Sequence, residues 1–98
     1  MSKETYGPFR FHYVQDPETP GRIKVYVEDQ PSYGSRDTSL SVIHRWNGKN
    51  GSPPYICFKE HVKPVSLAEA QRMARDWADR TLVYIRTGTT ISQQFARE

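Results

Sequence analysis

Four side chains in this chain are soft enough to hold a metal or start nucleophilic chemistry: His12, His44, His61 and Cys57. Only Cys57 and His61 stand close together, and no second short-spaced pair exists to complete a tetrahedral site, so no metal is expected. Cys57 lies between Ile56 and Phe58 in an apolar run. It has neither a glycine-rich turn nor a helix start beside it to lower a thiol pKa and make a nucleophile. The carboxylate pairs are no better placed. Glu28 and Asp29 end a strand, while Asp76 and Asp79 sit among arginines that keep both ionised instead of splitting their pKa values. No phosphate-binding glycine loop is present. The inventory points away from an enzyme, with no catalytic residue and no cofactor expected.

A different pattern emerges when side chains are sorted by strand alternation. With Phe9, Phe11, Ile23, Val25, Val27, Leu40, Val42, Ile56 and Phe58 on one face, the other face displays Arg10, His12, Lys24, Tyr26, Ser41, Arg45, Tyr55 and Lys59. Cations neutralise phosphates and tyrosines stack on bases or pack on sugars, which is the chemistry of nucleic-acid contact. Arg10, His12, Lys24, Tyr26, Arg45, Tyr55 and Lys59 are therefore the candidate nucleic-acid-binding residues. The competing explanation is structural, since an antiparallel sheet covered on one side is polar on the other. A second candidate surface is the loop 29–38, where Tyr33, Arg36 and Asp37 form a possible protein-binding tip beside Gly34. The function read from these features is a small non-catalytic binding module contacting nucleic acid. The alternative is a protein-interaction or regulatory module, as a homodimer or a monomer, with the monomer preferred.

The elements that must position these residues are legible in outline. Ninety-eight residues with 36% hydrophobic side chains and a mean hydropathy of −0.79 support one domain with one modest core. Residues 1–8 read as a flexible arm. Phe9 to Val14 and Ile23 to Glu28 alternate with period two, joined through Pro20-Gly21, a dipeptide suited to a type II turn. Residues 40–46 read as a third strand and 55–59 as a fourth, separated by two Asn-Gly dipeptides that favour positive φ. Ser66 and Glu69 make a capping box that opens a helix over 66–87, with Gly88 as its stop. Leu67, Ala70, Ala74, Trp77, Ala78, Thr81 and Ile85 form its buried stripe, Val83 projects into the polar face, and 89–98 reads as a loose tail.

The expected fold is α+β: an antiparallel meander of three to four strands over 9–59, with one long C-terminal helix on one face. Over roughly residues 23–87 this layout resembles, in shape and without a shared motif, the plant AP2-type and integrase arm-type DNA-binding domains. Those domains read the major groove through a three-stranded sheet, so the resemblance implies DNA contact through the sheet face. Fourteen Lys and Arg against eleven Asp and Glu leave a net charge of +3, a surplus compatible with a polyanion partner. No run approaches a membrane span, and the lone cysteine fits a reducing, cytoplasmic setting.

Overall fold

A computed structural model describes residues 2–98, apart from the side chain of Glu60. The sheet has five strands: β1 (Ser2–Tyr6), β2 (Phe9–Gln15), β3 (Ile23–Asp29), β4 (Arg45–Trp46) and β5 (Tyr55–Ile56). Three α-helices accompany it, α1 (Leu40–Ile43), α2 (Leu67–Thr87) and α3 (Ile91–Ala96). The fold is α+β, an antiparallel sheet with the long helix α2 packed against it. Strand order is β1-β2-β3-β5-β4, so the chain leaves β3, forms the outer strand β4, and returns to fill the gap with β5. The expected simple meander is corrected at that point.

Alternation explains the two central strands. Phe9, Phe11 and Tyr13 on β2 and Ile23, Val25 and Val27 on β3 are buried, while the residues between them face solvent. The turn joining these strands has Gly21 at φ 80°, with the Arg22 N–H donating to Thr19 O at 3.2 Å, as a Pro-Gly type II turn requires. On the buried face, Ala70, Ala74 and Ala78 keep α2 close to the sheet, and Trp77 fills the remaining space. Its ring meets Phe9 at 5.5 Å and Phe11 at 6.2 Å, both edge-on, and its indole N–H donates to Ile43 O at 2.7 Å. A smaller core of Tyr33, Ile43 and Tyr84 closes the far end of α2.

The start of α2 follows the sequence signal. Ser66 Oγ accepts from the Glu69 N–H at 3.2 Å, and Gly88 ends the helix at φ 81°. The expected stripe is corrected at its ends: Leu67, at the first turn, is exposed, and Tyr84 is buried near the last. The i,i+4 pair Asp76–Arg80 forms at 3.0 Å. Arg75 and Asp79 instead reach the first strand: Arg75 Nε donates to Glu4 at 2.8 Å, and Tyr6 Oη donates to Asp79 at 2.9 Å.

Those bonds correct the expected arm. Residues 2–6 are an edge strand paired along its whole length with β2, and residue 1 lies outside the described residues. Its apolar content is too low to announce a strand, because its inward side is held by polar contacts. Tyr13, fully buried, donates to Glu4 at 2.7 Å, and that carboxylate also takes Arg75. The tail is corrected as well. Thr90 and Gln93 form a reciprocal capping box for α3, and Ile91 is buried in the main core.

The third expected strand is largely a helix. Residues Leu40–Ile43 form one helical turn, closed by the His44 N–H donating to Leu40 O at 2.9 Å. His44 then takes a left-handed conformation at φ 51°, and only Arg45 and Trp46 pair as strand. The loop to β5 turns at Asn50 (φ 53°) and Gly51 (φ 81°), where the Ser52 N–H donates to Lys49 O at 2.9 Å. Among the described residues, no helix is long and apolar enough to cross a membrane.

Candidate nucleic-acid interface

The sheet face turned away from α2 carries one continuous line of side chains across all five strands. Lys3 pairs with His12, His12 with Tyr26, Tyr26 with Tyr55, and Tyr55 with Trp46, each as direct cross-strand partners. Strands spaced about 4.8 Å apart make this line roughly 19 Å long. Its rings are in contact: His12 to Tyr26 at 6.4 Å, Tyr26 to Tyr55 at 6.1 Å, and Tyr55 to Trp46 at 6.4 Å with their planes only 25° apart. Trp46 ends the line 45% exposed, an aromatic surface offered to solvent at the outer strand.

Charge flanks the row on both sides. On one side the Lys24 ammonium lies over the Tyr55 ring at 4.0 Å and the Tyr26 ring at 5.1 Å, a cation–π arrangement that keeps the charge above the aromatic surface. On the other, the register shifts between Arg10 and Phe11, from Asp29 to Val27 on β3, and Glu28 falls in the resulting bulge. Its carboxylate gathers Lys3 at 3.2 Å, Arg10 at 3.7 Å and His12 at 3.9 Å. Lys3 and Arg10 on this side and Lys24 on the other, against the one carboxylate of Glu28, leave this face mildly basic.

Five of the seven residues expected on this face are brought together: Arg10, His12, Lys24, Tyr26 and Tyr55. Arg45 is not among them. Its partner across the ladder is the buried Ile56, and its guanidinium turns to Gln30 at 2.8 Å and Asn47 at 3.2 Å, with its carbon 5.5 Å from the centre of the Tyr33 ring. The physical reason lies in residues 40–44: a helical turn and the left-handed His44 replace continuous strand, so alternation counted from Leu40 no longer sets the faces of Arg45 and Trp46. Ile43 and Arg45 point inward, and Trp46, which simple alternation puts on the side of Leu40 and Val42, is delivered to the open row. Lys59 is also elsewhere: the strand expected over 55–59 stops at Ile56, and Lys59 lies beyond it, exposed just ahead of the turn at Glu60–Val62 and lining a groove on the helix side.

Trp46 and Lys3 are the row members that sequence reasoning missed. Nothing in the periodicity of 40–46 signals the change of parity, and the polar run 2–6 hides its strand.

The candidate loop 29–38 is engaged inside the fold. Tyr33 is buried, and its hydroxyl donates to Gln30 at 2.8 Å. Arg36 Nε donates to Ile85 O at 3.2 Å, satisfying a carbonyl in the last turn of α2 where a cation also suits the helix dipole. Asp37 Oδ1 accepts from the Ser39 N–H at 2.9 Å, and its carbonyl accepts the Tyr84 hydroxyl at 2.7 Å. Each of the three thus makes a bond within the fold, while Arg36 and Asp37 stay exposed.

Among the described residues no group of three or more His, Cys, Asp or Glu side chains is arranged to hold a metal ion. Comparison with protein-family models, with curated proteins and with solved structures finds no match for this chain.

Proposed function

We propose that this chain is a small non-catalytic module that binds single-stranded nucleic acid across its open sheet face. The supporting observation is the Lys3–His12–Tyr26–Tyr55–Trp46 row. An aromatic ring recognises a base through its π-face, and that face is available in a single strand and hidden within a duplex. A row running across the strands lets successive bases meet Tyr26, Tyr55 and Trp46, while Lys24, Arg10 and Lys3 stand on its flanks at positions suited to phosphates. Nothing in the row reads the edge of a particular base, so the binding is tolerant of sequence. A protein-interaction module would draw on loop 29–38, but the bonds made by Tyr33, Arg36 and Asp37 leave that loop little to offer.

The charge sets the expected strength. With two or three phosphates neutralised, log K should fall against log salt with a slope of about −1.4 to −2 for a single strand. Titration of short labelled oligouridylate and oligothymidylate across a salt series tests this. Lys24→Ala should lower the magnitude of the slope by about 0.7 as well as the affinity. A duplex bound as tightly as the single strand would contradict the stacking account.

A further inference from the structure

On the helix side of the sheet, away from the aromatic row, a groove of about 430 Å³ opens between the end of β5, the turn at Glu60–Val62, α2 and α3. That volume is within the range of about 300–1,000 Å³ typical of small-molecule sites. Its apolar walls are Phe58, Val62, Met73, Trp77, Ile91 and Phe95. Val62 and Phe95 remain 43% and 52% exposed, so the apolar surface is open at the rim.

The polar groups around this groove are unevenly matched. Asp76, the one acidic lining residue among those described, is taken by Arg80 at 3.0 Å, and Arg80 also holds Glu98 and lies 3.8 Å over the Phe95 ring. Lys59 and Arg72 line the groove too, and among the described residues neither has an acidic partner. His44 Nε2 lies 3.0 Å from Ser92 Oγ, a pair of hydrogen-bonding groups beside the same apolar walls. Burial and the charge of Lys59 hold His44 below its ordinary pKa, so the positive charge near that pair is the ammonium of Lys59.

We infer that this groove binds a small amphipathic carboxylate, with a hydrocarbon body against the apolar walls and the headgroup at Lys59. A purely apolar ligand would leave the lysine with no counter-charge, whereas one carboxylate on an apolar body complements both. Ser92 and His44 can share the headgroup through the hydroxyl and the neutral ring. Because α3 supplies Ile91, Ser92 and Phe95, the bound ligand also fastens residues 91–96 to α2.

Decanoate and decanol, matched in length and differing in the headgroup, are the probes. Calorimetric titration and amide chemical shifts of the full chain should give saturable decanoate binding in the micromolar range, with shifts clustered at 56–59, 72–80 and 91–95. Decanol should bind about tenfold more weakly, the factor expected for losing one charge-assisted hydrogen bond. Lys59→Gln, an exposed substitution that spares the core, should remove that advantage for decanoate and leave decanol unchanged. Equal affinity for the two probes with an inert Lys59→Gln would overturn the assignment, as would the absence of saturable binding. Light scattering that finds a dimer dissociated by either probe would likewise overturn it, because the natural occupant would then be a second copy. None of these outcomes bears on the aromatic row, which lies on the other face.

Discussion

At the scale of single residues, the two tryptophans divide the labour of the domain. Trp77 is buried among Phe9 and Phe11 with its indole N–H bonded to Ile43 O, so Trp77→Ala removes a large core side chain and leaves a carbonyl unpaired. Its cost should be about 3–5 kcal/mol, a large share of the 5–15 kcal/mol typical of a domain, measured by urea unfolding. Trp46 stacks only on Tyr55 and is half exposed. Trp46→Ala should change stability by about 1 kcal/mol or less, yet weaken single-strand binding by about 1–3 kcal/mol, the worth of one stacked base. Glu28 gives the opposite sign. It holds Lys3, Arg10 and His12 around one carboxylate, so Glu28→Gln should release cations toward phosphate, tightening binding and steepening its salt slope. His44 supplies a pH dependence. Burial, then the charge of Lys59, depresses its folded pKa below 6.5, so the unfolded chain takes up that proton more readily. Stability from this group is present above about pH 6.5 and is lost as pH falls through the folded value. Urea midpoints should therefore drop between pH 7.5 and 5.5, and His44→Gln should flatten that part of the curve.

At the scale of elements, local signals with a direct physical cause were legible in sequence and those set by tertiary contact were not. The Ser66 cap on the Glu69 N–H, the stop at Gly88, the Pro20-Gly21 turn and the two alternating central strands all depend on neighbours in the chain, and all four appear in place, although the Glu69 side chain does not return the bond that would complete the capping box. The first strand is held by Glu4 and Tyr6 reaching Tyr13, Arg75 and Asp79, partners far along the chain, so its own composition says little. The stretch 40–46 alternates well enough to pass for a strand. What overrides it is the buried Trp77–Ile43 bond and the left-handed His44, and with that the parity of Arg45 and Trp46 reverses. Five residues of the candidate face were therefore found, two were misplaced, and the exposed Trp46 was missed. The tail makes its own prediction. Deleting 89–98 removes the buried Ile91, the Gln94 bond to Arg80 O and the Ser92 contact to His44. Burial of one such side chain is worth about 1.5–3 kcal/mol, and thermal unfolding should register at least that loss. Gly88→Ala tests the other end of α2. The position needs φ 81°, and an added methyl would meet Arg36 Nη1 at 2.7 Å, so a loss of about 1–2 kcal/mol is expected, most of it from backbone strain.

At the scale of the whole molecule, the sheet separates two surfaces of different chemistry. One face builds the core and, at its margin, an apolar groove edged by Lys59 and Arg72, which have no acidic partner among the described residues. The other is a row of rings four strands wide, continued onto the fifth strand by Lys3, under a light basic charge. Net charge alone would not single out nucleic acid, since +3 over 98 residues is modest. The register is what concentrates the aromatic side chains into one line, and a line of rings favours unpaired bases over any duplex. The most direct test is a fluorescence anisotropy titration of a short single-stranded oligonucleotide with the native chain and with a Tyr55→Ala, Trp46→Ala double variant at low salt. The account predicts saturable binding by the native chain and a loss of about thirtyfold or more in the variant, two stacked bases being worth at least 2 kcal/mol. A correctly folded double variant that binds as tightly as the native chain, or a native chain that binds no single strand, would contradict it.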